Sequence, residues 1–278
     1  MKISVVTWDG GFRESFHTVD FFGQQDYPTD AYEFIWVEHG EVPDELAARI
    51  DTYPNARIIQ TEHDGQYHVG RCINAGVRDS NSELIVVTDG DIAVRTDFLK
   101  KVADAHRDRD DQAIYFRRWD EPEEAHTGDL SIDYLEGACE LYNATNYGGG
   151  TSFRRSLFDH IGGYEDHWVF GGPGSVNMEF YVRLRNSGAA IIWHPEIRLF
   201  HPWHPGTRPG DMTLRKKQQK WVIEKRELNI STVSNQKEVD RYLEQAPFSN
   251  SDDSSDDLTT RIVNRMRHYK RSALKVIR

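Results

Sequence analysis

The sequence predicts an α/β protein whose mostly parallel, doubly wound sheet is flanked by helices and followed by a C-terminal helical extension. Two observations indicate this class. Strand-like and helix-like segments alternate from the first residues to about residue 119, which is the pattern of parallel strands joined by right-handed helical crossovers. The apolar run 84–87 is continuous rather than alternating, which is typical of a strand buried on both faces.

The individual elements follow from the spacing of apolar residues. Strands are expected at 3–8, 32–38, 56–61, 84–89 and 113–119. Helices are expected between them, at 12–22, 43–50, 68–77 and 98–106. The later part is less regular, with helices at 132–142, 157–161, 178–185 and 212–228 and strands at 189–193 and 198–200. Ser175 is expected to be the N-cap of the helix at 178–185.

The composition favours one domain plus appendages, since 278 residues bury a single sizeable core. The formal net charge of −11 argues against nucleic-acid binding, which requires a basic face. Two cysteines, Cys72 and Cys139, are too few for a disulfide framework and fit a reducing compartment. No run approaches the roughly 20 apolar residues that span a bilayer, and the first residues enter a strand without a signal peptide. We therefore expect a cytoplasmic protein.

The composition changes twice near the C-terminal end. Segment 231–258 is predicted to be a polar, acidic linker, because its stretch 249–257 contains Ser, Asn and Asp alone and cannot bury a core. Segment 259–278 is predicted to be a basic amphipathic helix without acidic residues. Two interpretations of this helix stay open. It lies on the anionic inner face of the membrane, or it docks on the acidic globule with its charges facing water.

Asp89 and Asp91 directly follow the apolar run and are separated by Gly90. In open α/β sheets the carboxyl ends of the strands bind ligands, and two acids at that edge repel each other. A hard divalent cation, Mg²⁺ or Mn²⁺, relieves the repulsion and keeps positions open for phosphate oxygens. The alternative is an ordinary Asp-Gly turn after a core strand.

Other polar residues are expected at the same edge. The first strand ends in Thr7-Trp8-Asp9-Gly10-Gly11, whose glycines permit close approach to a ligand. Arg71 and Asn74 lie on the helix before the acidic strand, and Glu38 and His201 end other strands. Arg71 is suited to a phosphate, and the imidazole of His201 is suited to a metal.

In this order, the segments resemble the GT-A nucleotide-diphospho-sugar glycosyltransferases, particularly glycosyltransferase family 2. The resemblance covers roughly residues 1–205 and begins with 4–7 and 33–38. Gly70-Arg71-Cys72-Ile73-Asn74-Ala75-Gly76 is similar to the family's Ala-Arg-Asn-x-Gly helix segment, and 83–91 is similar to its Glu-Leu-Ile-x-x-x-Asp-x-Asp strand. Residues 148–158, followed by Ile161-Gly162-Gly163-Tyr164-Glu165, resemble its acceptor-side segment. The ordered set is specific, although each motif alone is weak.

The resemblance implies a GT-A domain over 1–230, with a donor site and a metal. Asp91, with Asp89 nearby, would hold Mn²⁺ or Mg²⁺ against the donor diphosphate, and the metal would neutralise the departing nucleoside diphosphate. Glu38 matches the position that reads the nucleobase. His201 matches a late metal ligand, with His204 as the alternative. The implied donor-binding residues are Thr7, Asp9, Glu38, Arg71, Asn74, Asp89 and Gly149.

The catalytic base is where the sequence departs from the family pattern. Relatives carry Glu-Asp at the start of the helix after the glycine cluster, and the Asp deprotonates the acceptor. The matching positions here are Val176 and Asn177, and Asn177 can only orient an acceptor by hydrogen bonds. Glu179 lies two positions on, about 200° around the helix, and a salt bridge with Arg183 is its competing interpretation. Glu165 and Asp166, before the glycine cluster, are further candidates.

The leading hypothesis is a metal-dependent, inverting transfer of a sugar from a nucleotide-diphosphate donor to an acceptor hydroxyl. A UDP-sugar is the favoured donor, and the acceptor would be a glycan or lipid-linked molecule in glycan, glycolipid or polysaccharide synthesis. The competing hypothesis is a GT-A domain that binds a nucleotide sugar or glycan without transfer, favoured by Val176 and Asn177. A nucleotidyltransferase ranks last, because Asp9-Gly10-Gly11-Phe12-Arg13 supplies a single Arg for a phosphate-binding loop.

Overall fold

The structure is a computed structural model that describes residues 1–61, 67–171, 175–205 and 213–248. Its strands are β1 (Ile3–Asp9), β2 (Tyr32–His39), β3 (Ala56–Thr61), β4 (Leu84–Thr88), β5 (Gln112–Asp120), β6 (Glu140–Leu141), β7 (Gly150–Arg154) and β8 (Ala190–His201). Its α-helices are α1 (His17–Gly23), α2 (Asp44–Ile50), α3 (Val69–Asp79), α4 (Phe98–Ala105), α5 (Ile132–Ala138), α6 (Arg155–His160), α7 (Val176–Asn186), α8 (Thr213–Asn229) and α9 (Gln236–Glu244).

The strands form one mixed sheet in the order β3-β2-β1-β4-β7-β5-β6, with β8 also paired to β5. Strands β1 to β4 pair in parallel, and β8 is parallel to β5. Strand β7 is antiparallel to both of its neighbours, β4 and β5. The strands β1, β2, β4, β5 and β8 therefore end at the same edge of the sheet. This confirms the mostly parallel sheet with flanking helices that the sequence predicts.

The sheet is buried on both faces, which accounts for its continuous apolar strands. Every residue of β1 and β4 is buried. One face packs on α3, where a Cβ on Gly76 would lie 2.5 Å from Cγ1 of Val6, so glycine allows this helix to approach β1 closely. The other face packs on α1 and α4 through Phe22 and Phe98. A sheet held from both sides fixes the residues at its edge.

Two predictions around α5 and α7 need correction. The helix predicted at 132–142 ends at Ala138, because Cys139 is extended (φ −79°, ψ 144°) and the next two residues pair with β5 as β6. Ser175 precedes α7 as predicted, but its side chain makes no capping hydrogen bond.

The strands predicted at 189–193 and 198–200 are a single strand, β8. Its register with β5 shifts between Phe116, which pairs with His194, and Arg117, which pairs with Arg198. The polar and proline-containing residues at this irregularity interrupt the apolar pattern, and for that reason the sequence indicates two strands.

The described part of the predicted linker, 231–248, contains a helix. α9 packs on α8 and buries Val239, Tyr242 and Leu243, whose i, i+3, i+4 spacing forms a narrow apolar face. The presence of α9 corrects the linker prediction for 236–244. The composition does not indicate this helix, because polar residues surround its narrow apolar face. Residues 249–278, which include the acidic stretch and the predicted basic helix, lie outside the described residues. Within the described ranges, no helix is both long and apolar enough to cross a membrane.

Candidate active site

Asp91, His201 and His204 come together at the edge where β4 and β8 end. Nε2 of His201 lies 3.8 Å from Oδ1 of Asp91, and Nε2 of His204 lies 3.5 Å from Oδ2 of Asp91. One ligand atom from each residue lies within 4.8 Å of the others. Oδ1 of Asp91 is buried and has no hydrogen-bond partner in the described part of the chain. We call these three residues the Asp–His–His cluster.

Backbone pairing brings the three side chains together. Ala93, two residues after Asp91, donates to the carbonyl of Phe200 (2.7 Å), and Phe200 donates to the carbonyl of Ala93 (2.9 Å). On the other side of β8, His201 is the register partner of Asp120, the last residue of β5. The loop after β4 therefore lies against the end of β8, although these strands are not neighbours in the sheet.

The chemistry of the Asp–His–His cluster fits a divalent cation. One carboxylate oxygen and two imidazole nitrogens form a donor set that suits first-row divalent metals. Burial alone raises the pKa of Asp91, but the Arg13 guanidinium and the two imidazoles more than offset this effect and hold that pKa well below its usual value. Hydrogen bonding to Asp91 raises the pKa of His204. A cation would therefore meet an ionised carboxylate whose buried Oδ1 has no hydrogen-bond partner within the described ranges.

Asp89, predicted as a metal ligand, lies outside the Asp–His–His cluster. Its Oδ2 accepts a hydrogen bond from the Gly149 N–H (3.2 Å), and its own N–H donates to the Gly149 carbonyl (3.0 Å). Gly149 has φ 87°, a conformation that favours glycine. Burial and the charge of Asp91 raise the pKa of Asp89. In the candidate metal set, His204 thus takes the place that the sequence analysis gave to Asp89.

Asp9 and Glu38 shape the loop after β1. The Asp9 carboxylate accepts from two backbone N–H groups of the loop (3.2 and 3.1 Å) and from Nη1 of Arg13 (3.1 Å). Glu38 is fully buried and accepts from the Gly11 N–H (3.1 Å). The loop then places Nη2 of Arg13 3.4 Å from Oδ2 of Asp91. Both acids support the loop in this structure, and a direct contact of Glu38 with a nucleobase stays a prediction.

Arg71 and Asn74 connect α3 to the acceptor-side segment. The Asn74 side chain donates to the Tyr164 carbonyl and accepts from the Tyr164 N–H, both at 2.8 Å. Asn74 is buried and both ends of its amide are engaged by Tyr164, so its contact with a donor stays a prediction. Arg71 is exposed and donates to the Asp166 carbonyl (3.2 Å), so a contact with phosphate stays a prediction. Thr7 is buried within β1.

A small crevice opens beside Asp89, between β4, β7 and the start of α7. Asn177 lines it, so this side chain faces the same space as Asp89. Asp89 is the one carboxylate among the lining residues, which in the described chain are Trp8, Val87, Asp89, Tyr147, Gly149, Gly150, Thr151, Tyr164 and Asn177. The start of α7 therefore points an amide, not an acid, at the candidate site.

The model of the family described as Glycosyl transferase family 2 matches residues 18–162, which include Asp89 and Asp91. The chain belongs to this family. The match confirms the glycosyltransferase class and the GT-A fold that the ordered motifs predict. No curated protein matches the chain.

Solved glycosyltransferase structures share the fold. TarS 1–349 from S. aureus has a TM-score of 0.62 at 12% identity, covering 87% of this chain and 69% of that chain. TarS 1–349 with UDP-GlcNAc has a TM-score of 0.60 at 13% identity, covering 87% and 70%. The mannosyltransferase PcManGT from Pyrobaculum calidifontis, with GDP-Man and Mn²⁺, has a TM-score of 0.53 at 17% identity, covering 96% and 84%. At these identities the likeness shows the fold.

Glu179, the next acid along α7, is part of a buried ion-pair network. Its oxygens accept from Nε and Nη2 of Arg183 (2.6 and 2.7 Å), and Nη1 of Arg226 lies 2.9 Å away. All three side chains are fully buried. Burial alone raises the pKa of Glu179, but the two arginines more than offset it and lower that pKa. The structure corrects the catalytic assignment of Glu179, because its salt-bridge interpretation is the one that forms.

Glu165, the next carboxylate candidate, is fully buried and pairs with Nη2 of Arg226 (2.6 Å). Asp166, the last candidate, lies away from the crevice lining. Its Oδ1 accepts from the Gln236 side chain of α9 (2.7 Å), and it is half-buried. The lining of the crevice does not include it. Its role as a base in this family 2 protein stays a prediction that the geometry does not favour.

Sequence reasoning missed Arg13 as a neighbour of the family's acidic pair, and it missed Asp120 and its partner Arg118. Arg13 was visible as the single basic residue of the first loop, but its reach to Asp91 depends on how Asp9 folds that loop. Asp120 follows Trp119 at a strand end, which is the signal that could have found it. The neighbour of Asp120 across the sheet, His201, is distant in sequence.

Proposed function

We propose that this glycosyltransferase moves a sugar, with inversion, from a nucleoside-diphosphate donor to a hydroxyl of a glycan or lipid-linked acceptor, and that it requires Mn²⁺ or Mg²⁺. A UDP-sugar is the first donor to test. The observation that carries the proposal is the Asp–His–His cluster at the ligand-binding edge, where the buried Oδ1 of Asp91 has no hydrogen-bond partner among the described residues. The ligands of the structural neighbours support it, since TarS was solved with UDP-GlcNAc and PcManGT with GDP-Man and Mn²⁺.

Each part of the site has a role in this proposal. Asp91, His201 and His204 would hold the cation, which would neutralise the charge of the leaving diphosphate. Arg13 adds a guanidinium beside Asp91, and its planar fork matches phosphate oxygens. Asn177 faces the crevice, where its amide can orient an acceptor hydroxyl by hydrogen bonds.

A second candidate function is binding of a nucleotide sugar or glycan without transfer. Asn177 favours it, because an amide at the position of the family's base takes no proton. The burial of Glu179 between two arginines favours it further, since this removes the nearest carboxylate of α7. The two candidates share the donor site and differ in turnover.

Turnover of the purified full chain distinguishes the two candidates. Release of nucleoside diphosphate would be measured with Mn²⁺, a panel of UDP- and GDP-sugars and a panel of saccharide and lipid-linked acceptors. Metal-dependent transfer requires release that depends on an acceptor and that stops with a chelator and with Asp91→Ala. Asp133→Ala, which changes an exposed acid on α5, is the matched control and should leave release unchanged.

Each outcome of these measurements supports or contradicts one part of the proposal. Donor binding by calorimetry without release, across all acceptors, would overturn transfer and support the binding module. Release that survives both the chelator and Asp91→Ala would overturn the metal requirement. The anomeric configuration of the product, read by NMR, tests inversion directly, and a retained configuration would contradict it.

A further inference from the structure

We propose that Asp120 is a positioning residue of the metal centre, which orients the imidazole of His201 so that Nε2 faces Asp91. The inference rests on the metal-dependent function proposed above. Asp120 and His201 are the last register pair of the parallel strands β5 and β8. They are 81 positions apart in sequence, and the fold alone brings them together.

The imidazole of His201 lies between two carboxylates. Its Nδ1 lies 3.7 Å from Oδ1 of Asp120, and its Nε2 lies 3.8 Å from Oδ1 of Asp91. An imidazole that presents one nitrogen to a metal generally donates the other N–H to a carboxylate or carbonyl, which fixes the tautomer and the ring orientation. Asp120 is the group placed to accept that N–H, and it would leave the Nε2 lone pair for the cation.

Asp120 is itself held in place. Nε of Arg118 lies 2.7 Å from Oδ1 of Asp120, and Nη2 of Arg118 donates to Oδ2 at 2.8 Å. The same guanidinium lies over the Tyr142 ring, 4.4 Å from its centroid. The charge-assisted hydrogen bond to Oδ2 and the close approach of Nε to Oδ1 together restrain this carboxylate. The orientation of His201 is thus set by a chain of fixed groups rather than by a freely rotating side chain.

The next residue, Glu121, fixes the backbone that follows His201. Its N–H donates to the His201 carbonyl (3.0 Å), and its buried Oε2 accepts from the Trp203 N–H (2.9 Å). Glu121 also accepts from Tyr134 (2.8 Å), which anchors its side chain. Two consecutive acids at the end of β5 therefore position the two histidines. Asp120 orients the imidazole ring of His201, and Glu121 holds the backbone between His201 and His204.

Mn²⁺ affinity of the full chain tests this proposal without any turnover. Free Mn²⁺ would be measured by electron paramagnetic resonance during titration, with the metal as the sole ligand. We expect Asp120→Ala to weaken Mn²⁺ binding by about 10–100-fold, the usual effect of removing such a partner. Asp120→Asn keeps an acceptor oxygen, so its Mn²⁺ affinity should lie between that of the unaltered chain and that of Asp120→Ala. Asp133→Asn is the control for an exposed acid.

A double-mutant cycle separates positioning from loss of folding. If Asp120 acts through His201, Asp120→Ala should cost nothing further in a His201→Ala background. Equal losses in both backgrounds would overturn the inference, as would a single variant that binds Mn²⁺ like the unaltered chain. Circular dichroism identifies an unfolded variant, in which case Asp120→Asn decides by the same cycle. An unaltered chain that binds no Mn²⁺ would instead overturn the metal-dependent function, and the inference with it.

Discussion

Glu165 and Arg226 form an ion pair of 2.6 Å in which neither side chain reaches solvent. Arg226 belongs to α8, and Glu165 lies on the segment between α6 and α7, where it also accepts from the N–H groups of the next two residues (both 3.1 Å). Arg226 contacts Glu179 as well, which is bound to Arg183. Four buried charges therefore join α7, α8 and the acceptor-side segment, and they fix the start of α7 relative to the crevice.

The buried ion-pair network predicts a large loss of stability in Glu179→Gln. Neutralising one acid leaves two buried guanidinium groups without full compensation, which costs about 3–5 kcal/mol for a broken buried pair. The measurement is the free energy of unfolding from denaturant titration. The control is Glu227→Gln, because the Arg185–Glu227 pair (3.0 Å) is partly exposed and should contribute no more than about 1 kcal/mol. Equal losses in both variants would contradict the role of burial.

Asn177→Asp should raise the rate of sugar transfer, if the crevice holds the acceptor. The substitution restores a carboxylate at the position of the family's base, and a positioned general base contributes about 10²–10⁴-fold. The rate should then fall at low pH, as the new carboxylate is protonated. Steady-state transfer at several pH values checks both effects. Met178→Asp places the same acid on the next, exposed residue and should have no such effect. A similar rise in that control would contradict a specific role for position 177.

Two buried histidines predict a loss of stability in mild acid. Burial lowers the pKa of His68 and of His106 to about 4, whereas an unfolded histidine titrates near 6.5. The folded state therefore holds them neutral, and their contribution is complete above about pH 6.5. It declines by up to about 1.4 kcal/mol per pH unit for each histidine as the pH falls toward about 4.

The variant His106→Gln isolates this effect. Glutamine can also hydrogen-bond to the Ser152 hydroxyl, which lies 2.9 Å from Nε2 of His106, but it does not titrate. The free energy of unfolding would be measured between pH 7 and pH 5. We expect the slope against pH to be shallower in the variant than in the unaltered chain, whatever the variant's stability at neutral pH. An unchanged slope would rule out the buried neutral histidine as its cause.

The basic segment 259–278 predicts binding to anionic lipid. Each basic residue near an anionic surface contributes about 1 kcal/mol, and the attraction weakens with salt. Flotation would compare vesicles with and without phosphatidylglycerol. Replacing five cations by Gln should abolish binding in the variant altered at Arg261, Arg265, Arg267, Lys270 and Arg271. The control replaces Lys216, Lys217 and Lys220 on α8. Binding that is retained by the first variant and lost in the control would move the contact to α8.

The sequence predicts the sheet edge well because strand ends are local features. Asp91 and His201 each follow an apolar run, and parallel strands bring such ends to one edge. His204, three residues after His201, is the alternative ligand that the resemblance implies. The exchange of Asp89 for His204 in the metal set was not predictable, because it depends on the contact of Asp89 with Gly149.

The parts that the sequence does not predict all involve contacts between distant segments. The ion pairs of Glu179 include Arg226, which is 47 positions away on the helix that the sequence predicts at 212–228. The partners of Asn74 lie on the segment after α6. No sequence spacing predicts either of these long-range contacts. The sequence therefore indicates only the local i, i+4 partner of Glu179, which is Arg183.

The register irregularity of β8 has a consequence for how the site can vary. Between the pairs Phe116–His194 and Arg117–Arg198, β5 advances by one residue while β8 advances by four. Normal pairing resumes on the far side and continues to Asp120 and His201. The three additional residues of β8 thus form a bulge whose length is not fixed by pairing with β5. Insertions or deletions at this irregularity leave the pairing on both sides intact. The position of His201 at the site therefore does not depend on the number of residues in β8.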